Sequence, residues 1–175
     1  YERAYAEGSL ALNYSECIKE DSLITKDETT THEYKSSLRV NTRTNQIDNR
    51  MVEEVLRAIV AFLNTKGGCL VVGVDDDKNI LGLKVDRFQN SDEWQRFLKD
   101  KISNKIGDGY LESFIHPKII NQEGKDIAII QCDVLPTEKT ASLNGNIFIR
   151  QGPSSKALSP IEAVEWSKIR ILKEK

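Results

Sequence analysis

Glu33-Tyr34-Lys35 places a carboxylate and an ammonium two residues apart. In a strand such residues share a face, so Glu33 and Lys35 could address one site. Asp75 follows the apolar run Cys69-Leu70-Val71-Val72-Gly73-Val74, at the C-terminal end of an expected strand, where a carboxylate would emerge from a rigid support. With Glu28 upstream, these residues form a set of carboxylates beside a lysine, a setting for phosphodiester hydrolysis. The acids would hold a hard divalent cation, the cation would activate water, and Lys35 would stabilise the developing charge. Glu28 and Glu33 are five residues apart, an odd spacing that puts them on opposite faces of one straight strand. Glu28 can join only if the chain bends or bulges across Thr29 to His32. The competing reading, which spacing alone favours, is a strand-edge ion pair between Glu33 and Lys35 with Glu28 a solvated linker residue.

Other motifs narrow the chemistry. Gly68 and Gly73 have the glycine spacing of a P-loop, but Val74 and Asp75 stand where its lysine and hydroxyl belong, so ATP binding by that route is excluded. Asp75, Asp77 and Asn79 imitate the first ligand positions of an EF-hand. Ile80 replaces the required glycine and Asp86 the closing glutamate, which leaves a solvated hairpin turn. The cysteines, Cys17, Cys69 and Cys132, are odd in number and lack a CxxC pair, and the histidines are His32 and His116 alone. No zinc site or disulfide framework is expected. Three reduced thiols in a cytoplasmic protein, two of them buried in strands, is the expectation.

The elements that must position these residues are legible in outline. Residues Glu2 to Lys19 could form a helix, followed by a polar linker ending near Glu28; we divide the chain into residues 1–27 (helix and linker) and a domain over 28–175. Thr31–Leu38 reads as a strand, then a polar loop. Val52, Val55, Leu56, Ile59, Val60 and Leu63 recur at helical spacing, and Gly67-Gly68 close that helix. The central strand Cys69–Val74 leads through an acidic turn to a short strand over Ile80–Leu83. A second helix starts at Ser91, with Trp94, Phe97, Leu98, Ile102 and Ile106 on one stripe. Strands are expected at His116–Asn121, Asp126–Val134 and Ile147–Arg150, and Ser159-Pro160-Ile161-Glu162 opens a last helix with a capping box. Helices intermix with mostly antiparallel strands without a βαβ repeat, which defines the α+β class.

Composition sets further bounds. The 175 residues suffice for one domain with a core, and no apolar run approaches the ~20 residues that cross a bilayer. A chain opening on Tyr1 is expected to be a piece of a longer soluble protein. Twenty-five Lys plus Arg against 27 Asp plus Glu give a net charge of -2, so any nucleic-acid partner must be held by a local basic patch. Lys35, Arg39, Arg43, Arg50, Arg57 and Lys66 fall in one segment, and Arg150 and Lys156 flank the loop Gly152-Pro153-Ser154-Ser155. Hydroxyls and amides of such a loop suit phosphate contacts, in particular at Ser154 and Ser155. Ordinary solubilising charge is the bland alternative, since Asp48, Glu53 and Glu54 dilute the cluster.

Taken in order, Glu28…Glu33-Tyr34-Lys35-Ser36-Ser37-Leu38-Arg39, Ala61–Gly68, Val72-Gly73-Val74-Asp75-Asp76, Leu81-Gly82-Leu83 and Phe148–Ser155 resemble the Schlafen AlbA-like domain. The resemblance runs from about Glu28 to Ile169. It implies the Schlafen AlbA-like fold and a nucleic-acid partner, RNA or DNA. Prokaryotic domains of this type are often described as DNA-binding modules fused to regulatory or defence domains. In vertebrate relatives the fold cleaves transfer or ribosomal RNA with three carboxylates and a divalent metal. By position those would be Glu28, Glu33 and Asp75 here, with Asp76 as substitute, holding Mg or Mn, and Lys35 assisting. Those relatives also carry a zinc site this chain cannot form with its cysteines, and two lobes where this chain has one; a homodimer could supply the second wall. The resemblance therefore implies either a metal-dependent endoribonuclease acting on structured RNA such as tRNA, or a non-catalytic binding or dimerising module that targets a fused domain. A pure protein-interaction domain is a weaker third reading.

Overall fold

The structure, a computed structural model, describes residue 24 and residues 27–173. The helix expected over Glu2–Lys19 lies outside the described residues. In chain order the elements are β1 (His32–Lys35), β2 (Val40–Asn41), β3 (Gln46–Ile47), α1 (Asn49–Asn64), β4 (Gly68–Val72), a 3-10 turn (Leu83–Asp86), α2 (Ser91–Lys105), α3 (Asp108–Phe114), β5 (Ile115–Gln122), β6 (Lys125–Cys132), β7 (Phe148–Gln151), β8 (Ser154–Ala157) and α4 (Pro160–Leu172). The main sheet has the order β1-β4-β6-β5, with β1 parallel to β4 and the other pairs antiparallel. The fold is α+β.

Every residue of β4 is buried, as expected of a run apolar on both faces with a neighbour on each side. Leu70 and Val72 face α1 and share one core with Ile59, Leu63, Trp94, Leu98 and Ile102. Cys69 and Val71 face the other way, with Tyr34, Ile127 and Ile129. Asp48 caps α1 by accepting from Arg50 N at 3.0 Å, and the helix ends where Gly67 turns left-handed at φ 69°. A side chain at Gly67 would bring its Cβ to 2.6 Å from the Cys132 carbonyl oxygen, so the position requires glycine on both counts.

Two buried polar residues tie the connections down. Asn64, 1% exposed, donates to the carbonyls of Ala141 and Phe148 and accepts from Ala141 N, each at 2.9 Å, which bolts β7 and the segment before it to the end of α1. Asp86, fully buried, accepts from the backbone N–H groups of Leu38, Arg39 and Val40 and from the Trp94 indole.

Several expectations are corrected. The segment Ile80–Leu83 is not a strand: Ile80 makes a single bridge to Val74, and the chain then winds into the 3-10 turn that delivers Asp86. Helix α3 and strand β8 were not expected; β8 is polar and pairs only with β7, so no apolar alternation announces it. The first strand stops at Lys35, and the following loop contains the β2–β3 hairpin. Cys69 is disulfide-bonded rather than a reduced thiol, because spacing along a chain does not report which sulfurs meet in space. Cys132 is the free cysteine among the described residues, and burial, followed by the charge of Asp133, pushes its thiol far above the usual range. No described helix is long and apolar enough to cross a membrane.

Candidate nucleic-acid interface

The period-two expectation for β1 holds. Glu33 and Lys35 share the face turned toward α1, and the Lys35 ammonium sits 2.7 Å from Glu33 Oε1. The other Glu33 oxygen is paired with Arg150 Nη1. Arg150 lies on β7 with its side chain wholly buried, over the Phe62 ring at 4.7 Å; it also donates to the Thr29 carbonyl at 2.7 Å and to Ser155 Oγ at 3.1 Å. One guanidinium thereby joins β1, the segment before it and the β7–β8 hairpin. Its Nε is buried without an acceptor.

The bend that Glu28 needs is present. The chain turns across Thr30 and Thr31, with Thr29 N donating to the His32 carbonyl at 2.9 Å, and Glu28 returns alongside β1 to accept from Tyr34 N at 3.1 Å. Glu28, Glu33 and Lys35 consequently line one cleft of about 270 Å³. Glu54 and Arg57 of α1 form its second wall, and Pro153, Ser154 and Ser155 form its third.

Asp75 lines a neighbouring cleft of about 510 Å³ with Asp76, Asp77 and Arg43; Lys35 and Glu54 belong to both. Its two oxygens are engaged within its own turn, accepting from Asn79 N at 2.8 Å and Asn79 Nδ2 at 3.0 Å. Burial raises the Asp75 carboxyl, but the hydrogen bonds from the Asn79 side chain and backbone together outweigh it and hold the group below its ordinary range. Among the described residues no three His, Cys, Asp or Glu side chains are placed to hold a metal ion. The set Glu28, Glu33 and Asp75 is therefore not gathered: two members meet, and the third is spent on a turn. With Glu33 already facing two cations, these residues do not fit a resident Mg or Mn ion as arranged.

The basic residues also sort themselves. Arg39 is a brace, donating to the carbonyls of Asp86 at 2.7 Å and Arg87 at 2.9 Å and lying 3.6 Å over the Phe88 ring. Arg150 is interior. Arg50 is exposed and paired with Asp48, whose carboxyl the Arg50 hydrogen bonds lower to about 2. Arg43, Arg57, Lys66 and Ser154 are exposed, and Lys156 is exposed while paired with Glu162 at 3.2 Å. Sequence reasoning placed Arg57 in the basic segment and gave Glu54 only the part of diluting it, without setting either on the wall of a cleft. Their signal was available: both fall between the apolar positions of α1, on its outward side.

The chain belongs to the Schlafen, AlbA_2 family, whose profile matches residues 28–159. No curated protein matches it. Among solved structures it is similar to the DIP2311 protein of Corynebacterium diphtheriae, with a TM-score of 0.59 and 15% identity over 86% of this chain and 27% of that one. The chain thus spans about a quarter of that protein's length. It is also similar to the N-terminal domain of a protein from Nitrosomonas europaea described as related to the ATP-dependent DNA helicase RecG, with a TM-score of 0.49 and 19% identity over 79% of this chain and 86% of that domain.

Proposed function

We propose that this chain binds nucleic acid through the sugar–phosphate backbone, along the rim marked by Arg57 on α1 and Ser154 on β8, with the exposed Lys66 just beyond α1 and Lys156 on β8 as further cations. The observation that carries this reading is the division of labour among the charges: Arg150 is buried and neutralises Glu33 from below, while Arg57, Lys66 and Lys156 remain at the surface. Glu28 and Glu54 in the cleft repel phosphate, so the strand lies on the rim and not on the floor. Family membership supports a nucleic-acid partner. Contacts of this kind carry no base information and are strongly salt-dependent. Fluorescence anisotropy with a tRNA and a DNA duplex is expected to show affinity falling at least about tenfold between 50 and 200 mM salt. The triple variant Arg57→Ala, Lys66→Ala, Lys156→Ala is expected to flatten the duplex salt slope by about 2–3. Affinity indifferent to salt would overturn the reading.

A second reading, a Mg- or Mn-dependent endoribonuclease, draws on the part of the acidic set that does meet, Glu28 and Glu33 in one cleft beside Lys35. It requires Glu33 to exchange an ammonium for a metal ion. Incubating the chain with tRNA and Mn beside a Glu33→Ala variant decides it. Cleavage by the parent alone establishes the enzyme, and no cleavage by either leaves the binding module.

A further inference from the structure

Helix α4 wears its apolar side outward. None of its residues is buried, yet it carries five of the seven large hydrophobic side chains exposed among the described residues: Ile161, Val164, Ile169, Ile171 and Leu172. Ile161 is 73% exposed and Leu172 68%. The orientation is fixed from the inner side. Arg170 donates to the carbonyls of Leu135 at 3.0 Å and Lys139 at 3.1 Å, and its guanidinium lies 4.6 Å over the Trp166 ring. Such a concentration of exposed apolar surface on one element marks an interaction site.

The pattern of the outer stripe says what it fits. Ile161, Val164, Glu165, Lys168, Ile169 and Leu172 follow at i, i+3, i+4, i+7, i+8 and i+11, which is one face of a helix, and all six are exposed. The stripe reads the same in kind from either end. Ile161 answers Leu172, Val164 answers Ile169, and Glu165 answers Lys168 with the opposite charge. An isologous interface demands this self-complementarity, since a two-fold axis sets each residue against its counterpart.

We propose that α4 pairs antiparallel with α4 of a second copy of the chain, about a two-fold axis between Trp166 and Ser167. Ile161 then packs on Leu172 and Val164 on Ile169 of the other copy, while two glutamates and two lysines alternate at the centre. The pairing stands independently of the nucleic-acid reading.

Sedimentation equilibrium tests it. The parent chain is expected to reach the two-chain mass as concentration rises. Glu165→Lys places four lysines at the centre and Lys168→Glu four glutamates, so each alone should weaken the pair about tenfold or more. An equimolar mixture of the two variants should recover the two-chain mass, because every contact across the axis is then between opposite charges. Val164→Asp should abolish pairing. All these positions are exposed, so thermal melts monitored at low concentration should be unchanged. Three results would each overturn the proposal: a one-chain mass up to ~1 mM, where even a weak pair would show; a dimer indifferent to both reversals and to Val164→Asp; or a mixture of the two charge variants that stays at one-chain mass.

Discussion

Asp86→Ala should lower stability by about 3–5 kcal/mol, read as a fall in the urea midpoint at unchanged slope. The carboxylate is fully buried and takes hydrogen bonds from groups far apart in sequence. Oδ1 accepts from Leu38 N at 2.9 Å, Arg39 N at 2.8 Å and Val40 N at 3.2 Å, while Oδ2 accepts from the Trp94 indole at 2.7 Å. Three successive N–H groups aimed at one anion form a concave nest, and removing the anion leaves those donors buried without an acceptor. Asp86→Asn is expected to lose most of the same energy, because its amide would point N–H at N–H. If Asp86→Ala fails to fold, Trp94→Phe removes one donor and most of the indole's bulk while sparing the nest, and should cost about 1–3 kcal/mol. A midpoint for Asp86→Ala within ~0.5 kcal/mol of the parent would show that the nest is not what holds the β1–β2 connection.

Arg150→Met should cost about 2–4 kcal/mol and weaken nucleic-acid binding although the side chain is inaccessible to any ligand. The substitution keeps most of the volume but leaves the Thr29 carbonyl and one oxygen of Glu33 without their donor. The bend carrying Glu28 and the β7–β8 hairpin carrying Ser154 then lose their common anchor, so the rim residues lose their spacing. Coupling is the sharper readout. Glu33→Gln combined with Arg150→Met should cost less than the sum of the two, by at least ~1 kcal/mol, since each single change leaves the other partner buried without its ion. Additive losses would mean that the pair is incidental to the cleft. Urea titrations of the four proteins and anisotropy with the same tRNA supply both measurements.

What could be read from the sequence was local. The Glu33–Lys35 pair follows from the period of a strand, α1 from its apolar spacing, and the capping box at Ser159 and Glu162 from residue types three apart; the structure contains all three. What escaped depends on contacts across the chain. Asp86 looked like the end of an imperfect calcium loop because its donors lie 46 to 48 residues back and eight ahead. Asn64 stands just ahead of the glycines that close α1, with nothing nearby to announce the strand segment it bolts down from 77 and 84 residues away. Arg150 belonged to a basic flank on paper, and only the fold places Glu33 beneath it. The capping box announced α4 as a helix, but which side would meet the domain is decided by Arg170 and the carbonyls it reaches.

The bend before β1 has a consequence for solubility. As the border strand of the main sheet, β1 turns the N–H of Tyr34 and the carbonyl of His32 away from β4. Glu28 accepts from the first and Thr29 N donates to the second. A short stretch of irregular chain thus occupies two of the hydrogen-bonding groups through which a foreign strand would dock, and a negative charge stands guard at that seam. That border of the sheet is closed to a foreign strand by the segment just before it.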